Sequence, residues 1–516
     1  MPRRVVVFDR FDAGEFGLLG EREAPRGSWT GKNVLRYIDG SIGPRSGLVD
    51  MATTSTPTGA VAGFGHNPSA GKVWFVIGRN VYQVTDAPGN AVVTVGTNVI
   101  TATPTNRVRG IDTTYNTTAF AVLDDQGYYI DHAGAACTAL TQMPGGRTAA
   151  RLGDRYVTAG KSANPNRVYF SAPGLVDTWD PTDYFDVGGP SPITGLHGSG
   201  SRLVIVKAEG SWWVLTGVPG VNDVLREIVR GASPSPDAIA AVTRQAVAGD
   251  GKVWFLPYNG EYPTVFTGSP GMRHEDYLTL TKNGDTFPDS GTPKIGVTGL
   301  LMPDEMFFAT GANSGSYDNQ GLLLHNGVWS RHTFGKNISG WVEGLNDTYR
   351  RVFLTDGGAG GVAPKFYIWH YGNTRPPFAA NAYEKNTDAG TAFTSEFTLP
   401  AWWHEVEGEF LVAGVTVEFR KWAHGYGGNN SFTVEVTPLH IDGGEGAVVN
   451  DTFTESAATP TGGVAGQDDA FTATFADDTA SGEGVRVKIT GIVGCAIQKV
   501  RVLLDERPQR SVDSSA

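Results

Sequence analysis

Cysteine is nearly missing from this chain: only Cys137 and Cys495 occur in 516 residues. Two distant thiols cannot frame a disulfide scaffold, and such usage fits synthesis in a reducing compartment. The ten histidines do not make up a metal site either. No His-x-x-His or His-Glu-x-x-His occurs, and His325 and His332 stand seven apart across a turn. Long apolar runs are lacking as well. None approaches the roughly 20 residues of a membrane span. The opening MPRRVVVFDRFDAGEF interrupts its short apolar run at Asp9, too early for a signal-peptide core. The expectation is a soluble protein made, or assembled, in a cytoplasm. Helical periodicity is scarce too. Its best candidate is Ser235–Ala248, SPDAIAAVTRQAVA, with Ser235 as N-cap and Pro236 in the first turn.

Turn formers and aromatics are abundant. Gly (69) and Pro (29) make up 98 of 516 residues, against a usual share of roughly 12%. They are spread along the chain, which argues for many short strands. A unit of turn, β-forming run, tight turn and aromatic-rich strand recurs. Its copies are Gly71–Val84 (GKVWFVIGRNVYQV), Ser201–Leu215, Gly251–Phe266 and Gln320–His332. Each reads as a hairpin. Hairpins whose faces only a neighbour can cover predict a β-propeller. Candidate blades fall near 71–100, 105–140, 148–190, 193–230, 238–280, 295–332 and 338–371, so six or seven blades fit.

The expected organisation is an extended N-terminal arm (1–50), a propeller (51–372), a linker (373–391), a β-sandwich of jelly-roll or immunoglobulin-like type (392–507) and a tail (508–516). The sandwich rests on cleaner alternation. In Gly414–Trp422, Val415, Val417 and Phe419 share one face, with Thr416, Glu418 and Arg420 on the other. Phe432–Ile441, Phe471–Ala476, Val485–Val493 and Ile497–Glu506 repeat the pattern. The linker should cross few contacts, so the sandwich is expected to fold alone, and the arm to gain its order from contacts outside its own domain.

Charge is uneven. Residues 381–516 hold 9 Lys+Arg against 20 Asp+Glu, a net of −11, while 1–380 hold 32 against 33, a net of −1. The acidic C-terminal surface repels nucleic acid and is poor at binding it, and solubility is the simplest reading of its charge.

No catalytic constellation emerges. A Gly-x-Ser-x-Gly elbow and a Gly-x-x-x-x-Gly-Lys-Ser/Thr loop are both missing. Asp356–Gly361 (DGGAGG) reads as a hairpin loop with no helix to cradle phosphate. The pairs Asp124 and Asp125, Asp468 and Asp469, and Asp477 and Asp478 are adjacent in sequence. Neighbours on a strand point to opposite faces, whereas glycoside hydrolysis needs carboxyls about 5–10 Å apart on facing elements. Thr281–Phe287 (TKNGDTF) is a loose echo of the sialidase turn. Trp212 and Trp213, and Trp402 and Trp403, could stack on sugars, but aromatics on strands are ordinary core material. The reading is therefore no catalytic residue, no cofactor site and no metal site.

Two segments resemble a family. In Phe11–Val49, the residues Phe11, Gly14, Glu15, Asn33, Gly40, Arg45 and Gly47 resemble the opening of a group of tailed-bacteriophage virion proteins. Ser46 stands where Pro often follows the Arg, and the usual Ser-Pro after Gly-Glu is missing. Asn164–Gly217 (NPNRVYFSAPGLVDTWDPTDYFDVGG through SRLVIVKAEGSWWVLTG) is similar to a block of phage tail proteins that carry a β-propeller. The resemblance implies a structural subunit of the virion tail, a nozzle or distal component. It would form a closed ring, six subunits being favoured, joined through the arm and blade edges. Its partners would be other tail or head-to-tail connector proteins, the host surface, and phage DNA passing without tight binding. The alternative is a carbohydrate-binding or glycan-hydrolysing propeller for receptor attachment.

Overall fold

The structure is a computed structural model. It describes residues 3–9, 11, 14–15, 28–37, 39–51, 56–57, 61–67, 71–85, 92–97, 100, 118–123, 125–131, 133, 136–199, 201–207, 211–229, 240–241, 246–249, 252–255, 264–266, 298–302, 305–311, 318–325, 328–338, 340–346, 349–355, 364–370, 387–388, 391–403, 409–421, 430–455, 468–475 and 480–506.

Every regular element among the described residues is a β-strand. The first hairpin unit shows why. Lys72–Ile77 and Asn80–Thr85 are rich in Val, Trp, Phe and Tyr, and pair from Ile77 opposite Asn80. Only Gly78 and Arg79 lie between them, and Gly78 takes φ +57°. A two-residue turn that matches strand twist needs such a residue.

Among the described residues, seven antiparallel runs of strands follow one another along the chain; the sixth opens an 11-stranded sheet that continues through Ser28–Lys32 into the sandwich, and the other six are separate sheets. Their first strands are Val61–Asn67, Thr118–Leu123, Thr148–Leu152, Ile193–Ser199, Ala240–Ala241, Thr298–Met302 and Gly340–Asn346. Each lies beside the next, and the seventh lies beside the first, so the sheets close into a circle. This is a seven-bladed propeller, and the four recurring hairpins lie in blades one, four, five and six. The first blade begins at Val61. The seventh takes its outermost strand from Leu48–Asp50, which pairs with Phe366–His370 from Leu48 opposite Trp369.

The blades pack face to face, and their cores lie between them. Trp74, Val76 and Val81 of blade one meet Tyr128 and Ile130 of blade two. Phe120 of blade two meets Tyr156, Tyr169 and Trp179 of blade three. Val157, Val168 and Phe170 meet Leu203, Ile205 and Leu215 of blade four. Phe75 and Tyr82 meet Phe366 and Ile368 of blade seven, with ring centroids at 5.0 and 5.9 Å from Phe366. Each such side chain contributes about 1.5–3 kcal/mol on burial.

The C-terminal body is a β-sandwich. One sheet is built on Phe410–Lys421, Cys495–Glu506 and Asp468–Thr474, the other on Gly484–Val493, Asn430–Leu439 and Val449–Glu455. Val415, Val417 and Phe419 are fully buried, as the alternation predicts. Phe419, Phe432, Phe453 and Phe471 interlock between the sheets, with centroids 4.8–5.9 Å apart.

Three expectations change. The described residues among the first fifty are not an arm apart. Arg3–Phe8 pairs with Cys495–Glu506, Ser28–Lys32 pairs with Glu396–Thr398, and Leu48–Asp50 completes blade seven. Phe11, Trp29, Val34 and Ile42 are buried in the sandwich core. The reason is physical: these runs are too short to stabilise a sheet alone, and each lies along an edge that supplies its hydrogen bonds. The sandwich therefore extends beyond residues 392–507. The helix expected at Ser235–Ala248 is also replaced, since Ala240–Ala241 and Ala246–Gly249 are strands, and the latter pairs with Lys252–Phe255. Finally, Thr387–Asp388 and Thr391–Ala392 pair at the end of the expected linker. The rest of that linker up to residue 386 lies, from residue 371 on, outside the described residues, as do Asp356–Gly361, Thr281–Phe287 and the 508–516 tail.

Candidate functional site: the junction around Asn33 and Arg45

A buried polar junction ties together blade six, blade seven, the N-terminal strands and the sandwich. It starts from a break in the chain path. Asn33 separates Ser28–Lys32 from Val34–Arg36 and takes φ +59°. Asn tolerates this left-handed conformation better than most residues. The bend brings its carboxamide inside, where Asn33 is 1% exposed. Its Oδ1 accepts from the Thr333 amide at 2.7 Å and from Arg45 Nε at 3.2 Å, while its Nδ2 donates to the Thr394 carbonyl at 2.9 Å. Its own carbonyl accepts from the Arg45 amide at 2.9 Å.

Arg45 follows the Val34–Arg36 and Ile42–Pro44 hairpin. Gly40 makes that hairpin's turn at φ +85°, and the Tyr37 hydroxyl donates to the Pro44 carbonyl at 2.7 Å. Asp39 accepts from the Ser41 amide and hydroxyl and pairs with Arg420 of the sandwich at 3.0 Å. So held, Arg45 is fully buried. Its Nη1 donates to the Ser46 carbonyl and its Nη2 to the Thr333 carbonyl, both at 2.8 Å. The guanidinium lies over Phe393 at 3.8 Å, Phe334 at 4.7 Å and Trp369 at 6.0 Å. Stacked rings and a carbonyl fork suit guanidinium better than ammonium. Trp369 Nε1 in turn donates to the Ser46 carbonyl at 3.1 Å. Hydrogen bonds to charged donors contribute about 1.5–3 kcal/mol each, so this junction is stiff.

The other sequence candidates are held in structural roles. Phe11 packs edge-on against Phe397 at 5.9 Å, and its carbonyl accepts from Trp29 Nε1. Gly14–Glu15 runs parallel to Ser28 and Trp29. In the second phage-like block, Arg155 pairs with Asp183 at 2.6 Å and Arg167 with Asp186 at 2.9 Å, both within blade three. Lys207 is fully buried and donates to the carbonyls of Val187 and Gly189.

The described members of the carboxylate pairs are each held by a partner of their own. Asp468 binds Arg420 at 2.9 Å, and Asp469 binds Lys421. The hydrogen bonds from Arg420 and Lys421, respectively, hold both carboxyls below the ordinary carboxylate value. Asp125 accepts from the Ser162 amide at 3.1 Å, linking blades two and three. Asp124, Asp477 and Asp478 lie outside the described residues.

His332 meets Ser330 Oγ at 2.9 Å, but the two are 1% and 2% exposed. The side chains of His325 and Trp212 are outside the described residues. Trp213 joins the core of blades three and four, Trp402 lies 5.4 Å from Phe410, and Trp403 covers Gly484. These tryptophans pack rather than form an open platform.

Burial pushes the Cys137 thiol up to about 12 and raises that of Cys495 as well; both are free. Among the described residues, no group of three or more His, Cys, Asp or Glu could hold a metal, and no helix is long and apolar enough to cross a membrane.

Sequence reasoning singled out Asn33 and Arg45 but missed Thr333, Thr394, Phe334, Phe393 and Trp369. Thr333 and Thr394 act through backbone atoms, which leave no mark in residue type. The rings could have been sought as partners for a buried guanidinium, but nothing in their spacing points to Arg45.

No family model matches the chain, and no curated protein matches it. Among solved structures it is similar to Raptor of Chaetomium thermophilum, at 13% identity and a TM-score of 0.41 over 64% of this chain and 29% of that one. It is similar to YCF48 bound to a D1 peptide, at 15% identity and a TM-score of 0.38 over 65% and 97%. It is also similar to Sqt1 of Saccharomyces cerevisiae, at 10% identity and a TM-score of 0.36 over 63% and 99%. The chain thus spans less than a third of Raptor's length. The propeller stands on the strand order and ring closure of the chain itself.

Proposed function

We propose that this chain is a structural subunit of a bacteriophage tail, a nozzle or distal component, that works through its interfaces. The observation that carries the reading is the place of the phage-like residues. Asn33 and Arg45 bind blade six at Thr333 and reach Thr394 and Phe393 beside the sandwich, while Phe11 packs in the sandwich core. A motif spent on fixing two bodies against each other suits a load-bearing part of a particle. Identical subunits would join through blade edges into a closed ring, six being favoured, with other tail proteins above or below. The net −1 of residues 1–380 and −11 of 381–516 offer passing DNA little to grip.

The test is purification of the full chain followed by electron microscopy and DNA-binding titrations against salt. The expected result is a cyclic ring that binds DNA weakly. Tight DNA binding with a steep salt slope would overturn the reading. So would hydrolysis of a glycan that stops when one carboxylate is replaced.

A further inference from the structure

The Arg3–Phe8 strand lies at an edge of the sandwich. It pairs antiparallel with Cys495–Glu506, from Arg3 opposite Asp505 to Phe8 opposite Val500, without a register shift. Among the described residues no strand runs along its other side. An open, unbulged edge is a template for a further strand.

The two faces of this strand differ. Val6 and Phe8 pack against the sandwich core, and the Arg4 guanidinium lies 5.0 Å over the Trp402 ring. Arg3, Val5, Val7 and Asp9 alternate with them and face outward. The side chains of Arg3 and Asp9 are 75% and 54% exposed, and Val5 and Val7 are 48% and 44% exposed. In order, the outer stripe is cation, valine, valine, anion. Reversed, that order is its own complement.

We propose that this edge pairs with the same edge of a second copy of the chain, antiparallel about a two-fold axis at Val6. Arg3 then faces Asp9 of the second copy and Val5 faces Val7, twice over. Only this register does so. A slip by two residues sets Val5 opposite Val5 or Val7 opposite Val7, and leaves the charges opposite valines. Arg3 already meets Asp505 at 3.2 Å and Asp9 meets Lys499 at 3.9 Å. The pairing would extend these contacts into a charge row across four strands, and cross-strand pairs of this kind set sheet register. Six residues of edge are about 20 Å long, well short of a standard interface, so association is concentration-dependent. This contact does not depend on the virion reading, since the ring proposed above closes through blade edges.

Sedimentation velocity of the full chain over a wide concentration range tests it. The wild type should associate in pairs. Arg3→Asp and Asp9→Arg should each weaken association about tenfold or more, because each sets like charges face to face. The double exchange Arg3→Asp with Asp9→Arg should restore it. The two single variants, mixed, should associate with each other more tightly than either does alone. Val7→Lys, at an exposed position, should also abolish pairing, and circular dichroism would confirm that each variant is folded. A chain that stays monomeric throughout overturns the proposal, as do single exchanges without effect or a double exchange that fails to rescue. A ring that forms but ignores every exchange leaves the virion reading standing and removes this one. Pairing that obeys the exchanges, with no ring, does the reverse.

Discussion

The propeller and the sandwich solve the same problem with different economies of contact. The propeller divides its apolar surface among small cores, each shared by two neighbouring blades. The sandwich gathers its apolar surface into one continuous core. That core draws Phe11, Trp29, Val34 and Ile42 from the N-terminal segment as well as residues from Phe397 to Leu504. Damage to the first kind of core concerns two blades, whereas damage to the second concerns the whole body. The junction at Asn33 and Arg45 decides whether the two bodies respond separately.

The largest effect should come from Val417→Asp. Val417 is fully buried between sheets, and an unpaired carboxylate there has no partner. A loss of about 4 kcal/mol or more is expected, enough to leave the sandwich unfolded without urea while the propeller still unfolds cooperatively in it. Loss of both together would show that the contrast between the two bodies is wrong.

Arg45→Ala should cost about 3 kcal/mol, since it strips Asn33, Ser46 and Thr333 of a charged donor. Its signature is separation: one thermal transition in the wild type should become two. A uniform downward shift that stays a single transition would mean the junction stabilises the bodies without coupling them.

The smallest effect concerns acid. The folded values of Asp468 and Asp469 lie below the ordinary carboxylate value through Arg420 and Lys421. Their contribution is therefore complete above the unfolded value near ~4 and is lost as pH falls through the lower folded value. Both are partly exposed, so the gain is at most about 1 kcal/mol. Comparing the wild type with Asp469→Asn from about pH 6 to about pH 3 should show the two stabilities converging at the acid end. Parallel curves would assign the pair no role.

The hairpins were legible because each carries its own signal: β-forming runs around a glycine turn, as in Gly71–Val84. The sandwich strands were legible through alternation, as at Val415, Val417 and Phe419. Ser235–Ala248 misled because its alanines and Pro236 favour helix locally, whereas pairing of Ala246–Gly249 with Lys252–Phe255 prevails in the fold. The N-terminal strands were hidden for a different reason. Leu48–Asp50 is three residues long and finds its partner at Tyr367–Trp369. No local pattern reports a partner that far away. The junction was half legible: Asn33 and Arg45 stood out by resemblance, while Thr333 and Thr394 give only their backbones.

The strand that completes blade seven also sets a schedule. Leu48–Asp50 emerges early in synthesis but cannot be paired until Phe366–His370 has followed. At about 5–20 residues per second, that wait is on the order of 15–65 s. Arg3–Phe8 waits longer, for Val500–Asp505. A nascent chain must therefore carry unsatisfied strands through most of its manufacture. A product cut short before residue 366 leaves Leu48–Asp50 without its partner strand. Completion of blade seven is thus among the last events of folding, tied to a strand made about 300 residues after its partner.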